Sequence, residues 1–471
     1  MSTGLMWFRE DLRVTDNTAL YSASQFSKGQ VIGIVIISPQ EWHDHAVSPN
    51  RIDFWLRNLK ELSLSLANLN IPLLIDYASN AIEVPALLLK CAKQHHCARL
   101  FFNQQYEINE ARRDLKVVEL FKSHGLFVQQ HSDAVILTPD EVLKPGGGNY
   151  TVFTPYKNAW VKQFYAKGGA PILPPPIKQQ KLAIPSSPVP AEISGITSKL
   201  APNLWLAGEM AAQQRLQGFI QQQLCHYAKA RDYPALDGTS RLSPYLSAGI
   251  LSPRQCLQAA LAVNAQQLSQ GHLGAITWIN ELIWREFYKY ILYHFPRVSM
   301  GHAFKLNTEK IAWENNLAQF EAWQQGQTGY PLIDAAMRQL KTLGWMHNRL
   351  RMLTAMFLVK DLLIDWRWGE RYFMQHLIDG DLAANNGGWQ WAASTGTDAV
   401  PYFRIFNPIT QSKKFDPEGQ FIRQYCPELA SLNNSDIHNP PLAIRAELDY
   451  YMPVVDHARA RLRALQVYQN V

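Results

Sequence analysis

Val31-Ile-Gly-Ile-Val-Ile-Ile37 is an aliphatic, largely β-branched run broken only by Gly33. Successive side chains of a strand point to opposite faces, so a run this apolar fits a strand buried on both sides. Such strands occupy parallel sheets with helices on each face. Upstream, Leu5-Met-Trp-Phe8 is a second apolar run, followed by Thr15, Asp16 and Asn17, any of which can cap a helix. Downstream, helical patterning from Arg51 to Ala67 leads to a strand at Ile71-Pro-Leu-Leu-Ile-Asp76. Residues 81–96 read as helix, Arg99-Leu-Phe-Phe102 as strand, Glu107 to His124 as helix, and Phe127-Val-Gln-Gln130 as the last strand. The alternation predicts a Rossmann-like α/β domain with a doubly wound parallel sheet. No Gly-x-Gly-x-x-Gly or Walker loop follows the first strand, so a dinucleotide site of that kind is not supported.

Working outward, a chain of 471 residues is too long for one core. The expected division is an α/β domain over 1–130, a linker over 131–204, and an all-α domain over 205–471. The linker reading rests on Lys144-Pro-Gly-Gly-Gly148 and on the Pro- and Ser-rich residues 170–202, with Pro-Pro-Pro at 174–176. Beyond Trp205 helical periodicity dominates and strands are scarce. No apolar run reaches the roughly 18 residues of a membrane span, and no secretory signal opens the chain. Five scattered cysteines argue against a disulfide framework. Cys91 and Cys97, near His95 and His96, match no zinc spacing and read as helix-borne core thiols. A cytoplasmic protein is expected. The net charge of +6 is a mild bias, compatible with nucleic acid and with many small-molecule enzymes. Most of the 14 Trp fall between Trp278 and Trp391, which points to base stacking, a ring cofactor, an electron route, or a Trp-rich helical core.

Four stretches of the helical half carry chemistry. Gly238-Thr-Ser-Arg-Leu-Ser243 puts hydroxyls and an Arg in a turn before a helix, a phosphate seat or an ordinary cap. On Trp278-Ile-Asn-Glu281-Leu-Ile-Trp284-Arg285-Glu-Phe-Tyr288, helical spacing aligns Trp278, Glu281, Arg285 and Tyr288, with Trp284 at the edge. A plain intrahelical Glu281–Arg285 pair would be worth only about 0.2–0.5 kcal/mol. Gly344-Trp-Met-His-Asn-Arg-Leu-Arg-Met352 puts Trp345, Asn348, Arg349 and Met352 on one helical face, which suits an aromatic ligand with carbonyls and phosphates. Asp379-Gly-Asp-Leu-Ala-Ala-Asn385-Asn-Gly-Gly-Trp389-Gln-Trp391 mixes acids, amides, a Gly pair and two indoles. Polar groups of that kind are costly to bury without partners. A helix from Asn385 places Asn385 and Trp389 on one face and turns Trp391 away.

Taken together, the last two strings resemble the DNA photolyase/cryptochrome family, most closely its bacterial class I cyclobutane pyrimidine dimer photolyases. The likeness runs from Trp7-Phe-Arg-Glu-Asp-Leu-Arg13 to Tyr402-Phe-Arg-Ile-Phe-Asn-Pro408 and covers essentially the whole chain. It implies FAD in the helical domain. Tyr227, Thr239, Ser240, Arg241, Leu242 and Ser243 would hold the phosphate and ribityl end. Arg285, Trp345, Asn348, Arg351, Asp379, Asp381 and Asn385 would surround the ring system and its bridge. An amide at Asn385, rather than a carboxylate, implies a fully reduced, anionic working flavin. The implied reaction is light-driven: the excited flavin lends an electron to a thymine dimer, the cyclobutane ring splits, and the electron returns. Photolyases are a standing example of enzymes that take their target bases out of the duplex.

The same resemblance assigns Trp284 and Trp391 as the walls of the dimer pocket, and Glu281 as partner to the dimer's carbonyl and N3–H edge. Asn348, Arg349 and Met352 stand beside them, with Arg349 on a backbone phosphate. For Glu281 to give or share a proton, burial would have to raise its pKa. Trp389, Trp366 and Trp313 match the family's electron relay. His45, Asn109 and Glu110 match positions that hold 5,10-methenyltetrahydrofolate as antenna, with a deazaflavin as the competing chromophore; the family's Cys-Lys contact is not evident at Arg297-Val-Ser-Met-Gly-His302. DNA containing pyrimidine dimers is the expected partner, no metal is expected, and a monomer is the family expectation. Three readings compete. A (6-4) photolyase calls for two His where Asn348 and Met352 stand. A cryptochrome-type light receptor usually carries a long C-terminal tail. A flavoprotein electron carrier leaves Glu281, Trp284, Arg349 and Trp391 without a shared purpose.

Overall fold

The computed structural model describes residues 3–26 and 30–471. Strands β1 (Thr3–Phe8), β2 (Val31–Ile37), β3 (Leu73–Tyr77), β4 (Cys97–Asn103) and β5 (Phe127–His131) form one parallel sheet in the order β3-β2-β1-β4-β5. The chain winds outward from β1 to β3, then crosses back to lay β4 on the other side of β1, as a doubly wound sheet does. Trp7 lies opposite Ile34, and Ile34 opposite Leu74. Gly33 is closely packed: a Cβ there would sit 3.1 Å from both Leu73 and Phe8 side chains. Of the three candidate caps for helix Thr18–Phe26, Asn17 does the work, its Oδ1 accepting from Leu20 N at 3.1 Å. Helix Pro49–Asn68 starts at Ser48, whose hydroxyl accepts from Asn50 N.

β3 is an edge strand, and open edges invite aggregation. The Pro- and Ser-rich segment covers it. Ser187 N donates to Leu73 O at 2.8 Å, while Leu73 N and Ile75 N donate to the hydroxyls of Ser186 and Ser187. Gln179 adds bonds to Val31 and Asn70. The segment is extended, as its composition predicts, but it is fastened to the sheet. Beyond β5 the described residues contain no further strand, only an isolated bridge between Ile193 and Ile196.

The chain divides into two compact units. One takes in residues 1–222, 240–296 and 378–380; the other takes in 223–239, 297–377 and 381–471. In the first, Leu5, Trp7, Ile32, Leu88, Leu100 and Phe121 build the core on one side of the sheet. In the second, helices Pro331–Leu343, Asn348–Met356, Trp366–Met374 and Leu382–Ala392 enclose a core of Trp323, Met337, Leu350, Leu358, Trp366, Phe373 and Trp389. Two expectations need correcting. Trp345 does not share a helix with Asn348. Gly344, at φ +62°, ends the preceding helix, and His347 caps the next by accepting from Arg349 N at 3.2 Å. Cys97 is not helix-borne either: it opens β4 and is buried, like Cys91. Burial pushes the two thiols up to about 12 and about 11, so neither is a reactive thiolate.

Candidate active site

In the first unit the key element is helix Leu273–His294, capped by His272. Its apolar side is buried through Trp278, Ile279, Leu282, Ile283 and Phe287, and this leaves Glu281 and Trp284 half-buried. Trp278 turns inward against Phe219, with ring centroids 4.9 Å apart. Trp284 lies flat on Phe153, 3.7 Å away at an interplanar angle of 9°. That backing fixes the plane of the indole, which a stacking wall needs and an isolated helical Trp lacks. Arg285 donates through Nη1 to Ala134 O at 2.7 Å. Glu286, absent from the sequence reading, is buried and accepts from Ile136 N, Leu137 N and Trp160 Nε1 at 2.7, 2.9 and 2.5 Å. Burial pushes its carboxyl up to about 7 despite those bonds.

Within the same unit, the stretch from Ser240 is a turn into helix Ser243–Ser247. That helix is only five residues long, so hydroxyls and the Arg241 guanidinium, more than a helix dipole, are what the turn offers an anion. Arg241 has φ +48°, and Arg215 Nε holds Ser240 O at 2.9 Å. Leu242 is buried, and Asp379 is 6% exposed.

In the second unit Tyr227 is buried and Thr239 is half-buried. Gly238 beside it has no room for a side chain, since a Cβ would lie 2.8 Å from Ala230 O. Asp381 caps helix Leu382–Ala392 by accepting from Ala384 N at 3.0 Å. Asn385 and Trp389 are both buried on that helix while Trp391 is half-buried, so the two indoles diverge as their spacing predicts. Asn385 Nδ2 donates to the backbone carbonyl of Glu370 at 2.9 Å, which leaves its Oδ1 to meet a donor. Asn386 donates to the Glu370 carboxyl at 2.8 Å and accepts from Gln390. Burial pushes Glu370 up to about 7. Gly388 is exposed, and a Cβ there would meet nothing within 4 Å. Packing therefore gives no reason for a helical Gly that costs about 1 kcal/mol relative to Ala.

Trp389 and Trp366 are buried in one aromatic core, and Trp313 packs half-buried at its margin, 6.2 Å from Tyr468. Trp389 is seated by Gly369: a Cβ at that glycine would lie 2.1 Å from the indole. Trp323 and Phe373 hold its other sides at ring distances of 6.0 and 5.0 Å. Asn348 is exposed, Met352 is half-buried, and Arg351 Nε donates to Met346 O at 2.8 Å. Arg349 pairs with Asp232 at 2.7 Å and lies over Phe415, 4.6 Å from its ring centre.

His45, Asn109 and Glu110 converge in the first unit. His45 Nδ1 is 3.3 Å from Glu110, and Asn109 Nδ2 is 3.1 Å from His45 Nε2. Glu41 joins them, tied to Arg113 at 2.8 Å. Burial, and then the Glu107 carboxylate, pushes Glu110 up to about 8. Burial thus favours its protonated form, which can donate. Phe153, Gly369, Glu370, Glu41 and Asp232 escaped the sequence reading because each meets its partner across separate elements, and no local spacing announces that.

The residues carrying these groups also match known proteins. Residues 4–178 match the family model described as DNA photolyase, and residues 278–470 match the FAD binding domain of DNA photolyase. The chain is 45% identical to a deoxyribodipyrimidine photo-lyase of Escherichia coli, over 100% of this chain and 99% of that one. It is 40% identical to one of Neurospora crassa, over 98% of this chain and 81% of that one. Among solved structures it resembles a class III photolyase from Agrobacterium tumefaciens, with TM-score 0.88 and 32% identity over 100% and 98% of the two chains. A Synechocystis cryptochrome gives TM-score 0.86 at 27% identity, over 99% of each chain. With a Rossmann-like sheet, a helical FAD-binding region and full-length relatives, this chain belongs to the DNA photolyase/cryptochrome family.

Proposed function

We propose that this protein repairs cyclobutane pyrimidine dimers in DNA with the energy of blue light. The observation that carries the reading is Trp284 held flat on Phe153, beside Glu281, on helix Leu273–His294. A wall of that kind packs against the faces of two joined pyrimidines flipped out of the duplex, and the neighbouring carboxyl addresses their polar edge. Relatives named for this lyase, matched over 99% and 81% of their own length, support the same conclusion. Within the second unit, half-buried Trp391 and Met352 offer apolar surface and exposed Asn348 an amide.

The groups each unit offers fit FAD. The first supplies Ser240, Arg241, Leu242, Ser243, Arg285 and Asp379; the second supplies Tyr227, Thr239, Trp345, Asn348, Arg351, Asp381 and Asn385. Hydroxyls and guanidinium suit a pyrophosphate, and the free Oδ1 of Asn385 suits a ring N–H. The helical Gly388, which packing does not require, fits a surface kept bare for close approach. Reduced FAD, anionic in its working form, would supply on excitation one electron to the dimer and take it back after two carbon–carbon bonds have opened. The chain's own part is to flip and stack the lesion, hold its carbonyls, and exclude water. Trp313, Trp366 and Trp389 would refill the oxidised cofactor with electrons from the surface.

The region over 1–130 would serve as antenna domain, with His45, Asn109 and Glu110 binding 5,10-methenyltetrahydrofolate and Glu110 donating to the pterin. A similar archaeal photolyase from Sulfolobus tokodaii, 30% identical with TM-score 0.82 over 100% of both chains, holds two FAD molecules, which its structure links to light harvesting. Extracting the chromophores and recording their absorption decides between folate, deazaflavin and a second flavin. Among the described residues no helix is long and apolar enough to cross a membrane, and a cytoplasmic monomer is the proposed working form. The deciding assay illuminates reduced protein with a dimer-containing oligonucleotide. Restored thymines support the proposal, and none restored returns the chain to the light-receptor reading.

A further inference from the structure

The repair reading places a DNA phosphate on Arg349, yet in the second unit that guanidinium already has an anionic partner. Arg349 Nη2 donates to Asp232 Oδ1 at 2.7 Å. Its other contacts are weak: Met352 Sδ at 3.7 Å from Nη1, the Phe415 ring beneath it, and a buried Nε with no hydrogen-bond partner among the described residues. The pair is monodentate rather than bidentate, and partly exposed, with 17% of the Arg349 side chain and 35% of the Asp232 side chain open to solvent. Such pairs exchange readily, since their net worth is about 0.2–1 kcal/mol. Asp232 also has a second cation, Arg231 Nε at 3.9 Å, so losing Arg349 does not strand its charge. Lys414 Nζ also lies over the Phe415 ring, 5.1 Å from its centroid.

Resting on the repair reading, we propose that Asp232 is an internal stand-in for a DNA phosphate. It holds Arg349 while the protein is free, yields it to the backbone on binding, and reclaims it as DNA leaves. No bond is made or broken and no proton moves; one oxyanion replaces another on the same N–H group. The consequence is quantitative. The Arg349–Asp232 pair brings no net charge to DNA and so displaces few counterions, whereas an unpaired Arg349 neutralises one phosphate outright.

The test measures dark binding of a single-dimer oligonucleotide across a salt series for the wild type, Asp232→Asn, Arg349→Gln and the double variant. Asp232→Asn is expected to bind about 1.5- to 5-fold tighter, the removed pairing energy expressed as affinity. Its log K against log salt should steepen by up to about 0.9, one phosphate's worth. Both changes should disappear in the Arg349→Gln background. Asp232→Ala should repeat the pattern, and an unchanged unfolding midpoint shows that neither variant acts through folding. Weaker binding by Asp232→Asn overturns the proposal and makes Asp232 a positioning residue for Arg349. An equal gain with and without Arg349 also overturns it, leaving only a general field. If the wild type itself does not prefer dimer DNA, it is the repair reading that falls.

Discussion

Gly369→Ala separates the electron relay from the repair site. In an open helix this change stabilises, by about 0.8–1 kcal/mol of propensity. Here the new methyl would lie 2.1 and 2.4 Å from two indole carbons of Trp389 and 2.7 Å from Leu358. To reach an ordinary 3.4 Å contact the indole must retreat by about 1.3 Å. Phe373 and Trp323, both buried, block that retreat. Overpacking of a tight core costs about 1–3 kcal/mol, so the clash outweighs the propensity gain and the net effect is a loss of up to about 2 kcal/mol. Urea unfolding should show it as a lower midpoint at unchanged slope. Displacing Trp389 should also slow light-driven reduction of the oxidised flavin, because that indole is the proposed inner member of the relay. Repair by enzyme reduced beforehand with dithionite should survive. A variant more stable than wild type with unchanged photoreduction would refute both the packing argument and the placement of Trp389.

Other expectations follow from the same geometry. Trp313→Phe should abolish photoreduction while leaving repair by pre-reduced protein intact; loss of repair there would remove Trp313 from the relay. Trp284→Ala strips the stack on Phe153 and should weaken dimer binding by about 1–3 kcal/mol with FAD content unchanged, measured by dark titration. Glu110 has its pKa raised from 4.5 to about 8, so the folded state holds a proton the unfolded chain releases. Its contribution is complete below about pH 4.5 and is lost as pH rises through 8, on the order of a few kcal/mol. Glu110→Gln should therefore flatten the decline of thermal stability over that window; an unchanged pH profile would show that Glu110 ionises normally.

Much of the fold was legible locally. The run from Val31 to Ile37 is apolar on both faces, and only a sheet covered on both sides can bury it, so helices had to follow each strand. Asn385, Trp389 and Trp391 diverge because a helix turns by a fixed angle per residue, which the spacing already encodes. Helical spacing alone puts Trp345 on the helix of Asn348, but Gly344 ends the helix before it, and whether a glycine interrupts or continues a helix depends on its surroundings. The Pro- and Ser-rich stretch was legible as extended but not as the cover of an edge, because that depends on which strand of the sheet lies outermost.

The sequence by itself determined which groups are present and, through the strings around Asn348 and Asn385, the family to which they belong. Only the tertiary structure decided what each group is tied to. Trp284 acquires its fixed plane from Phe153, 131 positions earlier in the chain. Asn385 acquires its orientation from a carbonyl on helix Trp366–Met374, and Arg349 its carboxylate from a turn 117 residues away. Helical and strand periodicity act over a few residues and are written in order along the chain. Hydrogen bonds and ring contacts between elements act over a few ångströms and depend on how the elements pack, so they become readable only once the chain has folded.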